Sequence, residues 1–326
     1  MNLTQYFQQA EVQPALSEVF QHLCKAAQQI NLWLRQGTLS EIDQHLNSCN
    51  VHGEHQKHMD IVSHQIMLLF LQQSNQVAGV LSEESENPIT LNPKAPYLVC
   101  MDPLDGSSQL EINGVTGSII SVLPNPSQSQ IQEQDFLQPG NSQLAAGYFM
   151  YGPALLLVLT VGKGTNVFVL DSKTGEFLLS KAQLSVPEDA TEFSINVSNL
   201  RHWHAPVKRY IDECLQGDQG VRGRNFNMRW CASMVMDVHR VLCHGGVFLY
   251  PNDKRSNLFS GKLRLLYEAN PMSLLVTQAG GASIEGQEDL LSLIPEQLHQ
   301  HISVMMGSAS EIERLREYHL LVKESN

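Results

Sequence analysis

Between Ala145 and Ser180 the chain reads AAGYFMYGPALLLVLTVGKGTNVFVLDSKTGEFLLS. Short apolar runs are broken at Gly152-Pro153, at Gly162-Lys163-Gly164 and at Lys173-Thr174-Gly175. β-Branched and aromatic residues suit a pleated surface, and glycine supplies the backbone conformations of tight hairpin turns. The stretch therefore predicts consecutive antiparallel strands.

Helices flank it in both directions. Leu16, Val19, Phe20, Leu23, Ala27, Ile30 and Leu34 recur at helical spacing, and Ile61–Leu71 (IVSHQIMLLFL) predicts a second, buried helix. Residues 82–96 read as a polar, Pro-rich loop. Tyr97–Met101 and Gly117–Leu123 predict strands, and LSVPEDATEF reads as a connector. Beyond it come a strand (FSIN), a helix from Ser233 to about Cys243 stopped by Gly245-Gly246, and a strand (VFLYP). A last helix is expected in NPMSLLVTQAGG, with Asn270 as N-cap, Pro271 at N1 and Gly280 as C-terminal cap. Helices and strands alternate in both halves. This predicts an α/β protein of two subdomains, residues 1–185 and 186–326.

Charge limits the partners. Lys and Arg total 21 against 33 Asp and Glu, a formal net charge of −12. Nucleic-acid binding draws most of its affinity from clustered cations on phosphates, so no nucleic-acid partner is expected, and no anionic membrane surface. A bound phosphate must sit at a focused site. No run of 18 apolar residues occurs, so no membrane span is expected, and MNLTQYFQQAEVQ lacks the basic and apolar regions of a signal peptide. Six scattered cysteines without a C-x-x-C pair fit reduced thiols in a cytoplasmic protein. Cys100, Cys231 and Cys243 stand in apolar stretches and are expected in the core.

Chemistry enters at LVCMDPLDGSSQL, where an apolar strand runs into two acids and a small polar turn. Pro103 removes a donor and fixes φ, so the chain is expected to leave the sheet there as a stiff turn. Asp102 and Asp105 repel unless a cation sits between them, and oxygen ligands suit Mg²⁺ or Mn²⁺ rather than zinc. The carbonyl of Leu104 is a further possible ligand. Gly106, Ser107 and Ser108 offer a close backbone approach, amides and hydroxyls for a phosphate. An Asx-type turn capping a helix satisfies the same spacing equally well, so further acids are needed. Glu83-Glu84 is one source, though a solvated loop is the usual fate of Glu. Glu268 is another: it stands among apolar residues, where an unpaired carboxylate is costly. Lys262 and Arg264 on the same run either meet phosphate or carboxylate, or snorkel to the surface.

Taken with SEE at 82–84, FLQPGNSQLAAGY, SIN, SMVMDVHR, GGVFLYP and GKLRLLYEANPM, this run resembles class 1 fructose-1,6-bisphosphatases of the lithium-sensitive sugar phosphatase superfamily, over residues 50–320. The resemblance implies a layered α-β-α-β-α sandwich, a homotetramer, and Mg²⁺-dependent hydrolysis of the 1-phosphate of fructose 1,6-bisphosphate. It implies Glu83, Asp102, Asp105, Glu268 and the Leu104 carbonyl as metal ligands, Glu84 as activator of the attacking water, and Asp60 as its positioner, with Arg264 as a candidate partner. Gly106, Ser107 and Ser108 hold the 1-phosphate. Asn196, Tyr250 and Lys262 contact the sugar and the 6-phosphate, and Arg229 reaches the 6-phosphate of a neighbouring subunit. The metal and phosphate motif thus falls in the first subdomain, the sugar contacts in the second.

There are departures. Gln65 replaces an acid usual five residues after Asp60 and cannot accept a proton from water; Trp230 replaces a Tyr. The Gly-Thr-Gly-Glu-type AMP loop of animal members is absent from AEVQPALSEVF, and Pro96 and Pro124 replace a Lys and an Arg, so weak or no AMP inhibition is expected. Sedoheptulose 1,7-bisphosphate is the rival substrate. A sugar-phosphate-binding regulatory protein with impaired turnover is the rival class, and Gln65 is its only support. His52, His55, His58 and His64 crowd one stretch, but without a supporting acid pattern they read as ordinary surface histidines rather than a transition-metal site.

Overall fold

The predicted meander forms one half of an eight-stranded sheet, out to its edge. Its strands are β1 (Val77–Ser82), β2 (Ile89–Thr90), β3 (Tyr97–Asp105), β4 (Thr116–Pro124), β5 (Ala145–Tyr151), β6 (Leu155–Thr160), β7 (Thr165–Leu170) and β8 (Phe177–Leu184). They lie in the order β8-β7-β6-β5-β4-β3-β1-β2. All neighbours are antiparallel except β1 and β3. The computed structural model describes residues 1–35, 48–49, 55–56, 58–127, 130–188, 190–255 and 261–323. His52 lies outside the described residues.

Both faces of this sheet are covered, which is why its central strands read as near-continuous apolar runs. On one face pack helices α1 (Leu3–Gln9), α2 (Pro14–Leu34) and α3 (His58–Ser74), with Phe20, Leu23, Ile30 and Leu71 against Val99, Met101, Ile120 and Phe149. The opposite face, through Ile119, Tyr148 and Val158, meets a second helical layer. A smaller sheet follows. Its strands β9 (Glu192–Ser194), β10 (Asn227–Met228), β11 (Val247–Tyr250), β12 (Ala282–Ile284) and β13 (Val304–Gly307) lie in the order β10-β9-β11-β13-β12. Helices α5 (Met234–His244) and α6 (Asn270–Gln278) fill the layer between the sheets, where Val235, Val238 and Leu275 meet Phe248 and Met306. Helices α4 (Ala205–Gln216) and α7 (Ala309–Lys323) close the outer face, with Tyr210 and Leu315 against Phe193 and Leu249. The result is the expected five-layer α-β-α-β-α sandwich.

Three local expectations need correction. The chain does not leave the sheet at Pro103: β3 continues to Asp105, pairing Asp102 with Ile119 and Asp105 with Gly117. Three steps on β3 oppose two on β4, a bulge that absorbs the missing proline donor and kinks the strand end. Asn270 is not an N-cap. Its backbone is helical, because a π-helical turn over Leu265–Ala269 already leads into α6. The other end of α6 does follow its sequence signal. Gly280 has φ +82, its N–H donates to Thr277 O at 3.0 Å, and Gly281 N–H reaches Val276 O at 2.9 Å. Finally, Cys100 is buried as expected, but Cys231 is exposed and Cys243 only half-buried; both lie at the ends of the α5 region rather than on its apolar face.

Candidate active site

The bulge at the end of β3 aims its two acids into the interior. Asp102 and Asp105 are 4% and 8% exposed, and Glu268 of the π-helical turn is 7% exposed. The three offer carboxylate oxygens that all lie within 4.8 Å of one another. Each acid is locally held. Asp102 accepts from Leu104 N–H at 3.0 Å. Glu268 accepts from Arg264 N–H at 2.5 Å. Asp105 accepts from Ser233 Oγ at 2.8 Å, Met234 N–H at 3.2 Å and Val235 N–H at 2.9 Å, so the start of α5 is clamped onto it. The bulged backbone is itself fixed by Ser118, whose hydroxyl donates to Pro103 O at 2.6 Å.

The protein compensates this buried negative charge only in part, the Arg264 charge and N–H drawing Glu268 down. Burial drives the Asp102 carboxyl well above its ordinary value, and the charges of Glu83, Asp105 and Glu268 push it further. Glu268 is raised well above its usual value by burial and by Glu83. Asp105 is raised by burial, with its three hydrogen bonds pulling the other way. A divalent cation between the carboxylates removes the repulsion, so this all-oxygen donor set fits one. Glu83, which follows β1 and donates its N–H to Met101 O at 3.1 Å, is close enough to act on both Asp102 and Glu268. The acids from residues 83, 102, 105 and 268 therefore converge.

Glu84 is set by a short relay. Its N–H reaches Ser82 Oγ at 3.3 Å, and that hydroxyl lies 2.8 Å from His64 Nδ1 on α3. Burial lowers the His64 pKa to about 4, so the ring is neutral and shares one proton with the Ser82 hydroxyl at this contact. Asp60, also on α3, is buried, whereas Gln65 is exposed. Past the bulge, Gly106 has φ +73 and ψ +29 and caps a 3₁₀ turn over Ser107–Ile112. A Cβ on Gly106 would lie 2.8 Å from Ser233 Cβ, so both conformation and contact demand glycine. Ser107 is half-buried and Ser108 exposed, with free access to the outside.

A cavity of about 350 Å³ opens on the second subdomain, lined among others by Asn196, Trp230, Tyr250, Arg255 and Lys262. Three residues expected at a sugar phosphate thus share one wall. Asn196 caps a 3₁₀ turn, accepting from Ser198 N–H at 3.1 Å. Trp230 stacks on Phe248 at 6.4 Å, nearly parallel, and tilts against Tyr250. Two expected residues lie off this wall. Arg264 is 2% exposed, and its Nη1 lies 2.8 Å from His301 Nδ1. Arg229 is exposed, 3.6 Å from Glu192, which also takes a double contact from Arg240 at 2.6 Å.

The sequence reading missed the residues that position others. Ser233 was legible as a helix start, but not its reach to Asp105 across 128 residues of chain. Asp237 was legible only as a helix residue, yet it accepts from Cys231 N–H at 3.0 Å. Asp253, bound to Arg255 at 2.6 Å on the cavity rim, gave no signal beyond loop polarity.

Two family models match the chain: fructose-1-6-bisphosphatase, N-terminal domain, over residues 1–182, and fructose-1-6-bisphosphatase, C-terminal domain, over residues 186–320. Among solved structures it is similar to Leishmania major fructose-1,6-bisphosphatase in the holo form, with TM-score 0.91 and 32% identity. The apo form of that enzyme gives TM-score 0.85 and 31% identity. Each alignment covers 98% of this chain and 98% of the other.

Proposed function

The chain belongs to the fructose-1,6-bisphosphatase family, and on that premise we propose that it hydrolyses the 1-phosphate of fructose 1,6-bisphosphate, giving fructose 6-phosphate and phosphate. The observation that carries this reading is the convergence of Asp102, Asp105 and Glu268, with Glu83 beside them, at the N-terminal side of the Gly106–Ser108 turn. The cation is Mg²⁺, with Mn²⁺ as a substitute, because the donors are all oxygens. Glu83, Asp102, Asp105, Glu268 and the Leu104 carbonyl would hold it. When bound, it supplies positive charge at the phosphoryl oxygens and acidifies the attacking water.

The protein's own groups do the rest. Glu84, held by the Ser82–His64 relay, takes the proton from water, and Asp60 orients that water. The backbone of Gly106 and the hydroxyls of Ser107 and Ser108 hold the 1-phosphate in line. Asn196, Tyr250 and Lys262 grip the sugar and 6-phosphate, so remote binding energy orients the scissile ester. Arg264 steadies Glu268 through its own N–H. Arg229, exposed beside Glu192, serves the 6-phosphate site of a neighbouring subunit in a homotetramer. Residues 1–185 and 186–326 act as the metal-bearing and sugar-bearing halves. Among the described residues no helix is long and apolar enough to cross a membrane, and the scattered thiols fit a cytoplasmic enzyme.

Phosphate release from fructose 1,6-bisphosphate, with and without Mg²⁺, tests this. Turnover that requires the metal and falls at least a hundredfold in Glu84→Gln is expected. A metal-independent rate, or no rate in the wild-type protein, would overturn it.

A further inference from the structure

Helix α5 is tied to two loops at once. Its first turn is bonded to Asp105 through Ser233 Oγ, Met234 N–H and Val235 N–H. One turn later Asp237, 2% exposed, lies on the same helix face as Ser233, four positions away. Its two oxygens accept the Cys231 N–H at 3.0 and 3.3 Å. The segment between these anchors is bent sharply: Ala232 has φ +61, a left-handed conformation that an L side chain adopts at a cost of about 1 kcal/mol. Immediately before it stand Cys231 and Trp230, the latter on the wall of the cavity. Immediately after it stands Ser233, which touches Asp105 and sits against Gly106.

A buried carboxylate has to be held by donors or it destabilises the fold. Burial lifts Asp237 to about 6, and the Cys231 N–H draws it back down. Asp237 makes no contribution to the chemistry derived above; besides the Ser194 side chain on β9, it meets the Cys231–Ala232 backbone, which lies between the metal corner and the sugar cavity.

We propose that Asp237 is a positioning residue that holds the Cys231–Ala232 turn in its left-handed form and thereby fixes Ser233, and through it Asp105, for the divalent cation. This rests on the reading of Asp105 as a metal ligand. Partners one bond removed from a ligand set its orientation, and their loss weakens metal affinity by roughly 10- to 100-fold.

Mn²⁺ binding to the full-length protein, measured by calorimetry without substrate, tests it, with thermal unfolding recorded in parallel. The wild-type protein should bind. Asp237→Ala should bind at least tenfold more weakly, and Asp237→Asn, which keeps one acceptor for Cys231, should lose less. Adding Ala232→Gly to Asp237→Ala should restore part of the affinity, because glycine takes φ +61 without the carboxylate's help; since relief of the strained φ also returns general stability, the affinity is compared only between variants that the parallel unfolding shows to be fully folded at the assay temperature. Should Asp237→Ala not fold, the Asn variant carries the comparison. Wild-type affinity retained in the folded variants would overturn the proposal. Absence of Mn²⁺ binding in the wild-type protein would instead overturn the reading of the metal corner, and the proposal with it.

Discussion

Replacing Gly106 with Ala places two separable penalties on one atom. The backbone there has φ +73, where a Cβ costs about 1 kcal/mol against its own carbonyl. The same Cβ would stand 2.8 Å from Ser233 Cβ and 3.0 Å from Ser233 Oγ. Ser233 is 2% exposed and bound to Asp105, so it cannot swing away without breaking that bond. Forced overpacking of this kind costs about 1–3 kcal/mol. The sum is a stability loss of about 2–4 kcal/mol. Gly162→Ala separates the two: Gly162 has φ +78, but a Cβ there meets nothing within 4 Å. It should lose only the conformational term, about 1 kcal/mol. Urea denaturation of the two variants reads the difference. In Gly106→Ala the phosphate turn and Asp105 must also shift apart. A displacement near 1 Å at a reacting centre lowers turnover by about 100-fold, so kcat/KM should fall by that order while Gly162→Ala stays near wild type. Equal stability losses in the two variants, or full turnover in Gly106→Ala, would refute the claim that Ser233 packing dictates this glycine.

Two further outcomes follow from buried groups and cavity chemistry. His64 titrates near 4 in the folded protein and near 6.5 when unfolded, so the unfolded chain takes the proton first. Its contribution is intact above pH 6.5 and is lost as pH falls toward 4, by up to about 3 kcal/mol; denaturation of wild type and His64→Asn across pH 4–7 should show the variant with the flatter profile, and parallel profiles would refute it. AMP should leave turnover within twofold of its control. The cavity of about 380 Å³ between Ala10–Gln13, Tyr97 and Lys163 offers a nucleotide phosphate the Lys163 ammonium, which already donates to Ala10 O at 2.6 Å and lies 3.6 Å from Glu11. Strong AMP inhibition in a titration would contradict this.

What the sequence made legible is what depends on near neighbours. The meander followed from β-rich runs and glycine turns, and β5 to β8 fall where those signals put them. α2 followed from its apolar period and starts at Pro14, a proline at the first helical position. The same local logic misplaced the start of α6. Asn-Pro is a good helix opening, but LLYEA before it is a buried apolar run whose period distinguishes neither strand from helix. Only the packing of Leu265, Leu266 and Tyr267 between layers makes it helical. Pro103 likewise read as an exit from the sheet, because a sequence does not reveal that Gly117 lies opposite Asp105 or that Ser118 catches the Pro103 carbonyl.

The site divides along the same line. Groups whose chemistry is unusual for their surroundings stand out in one dimension: an acid after an apolar strand, or Glu268 amid LRLLY. Ser233 and Asp237 do not, because a serine before a helix and an aspartate within its first turns are ordinary, and their distinction is an address in space. Yet the placement of charge at the metal corner depends on them. Asp105 keeps three donors only while α5 begins where it does, and α5 begins there because Ala232 is held in a backbone conformation it would not choose alone. Ligand identity in such a centre is therefore written locally, whereas ligand geometry is a property of how the second subdomain's helix docks on the first subdomain's strand. Substitutions that leave every carboxylate in place can still dismantle the site.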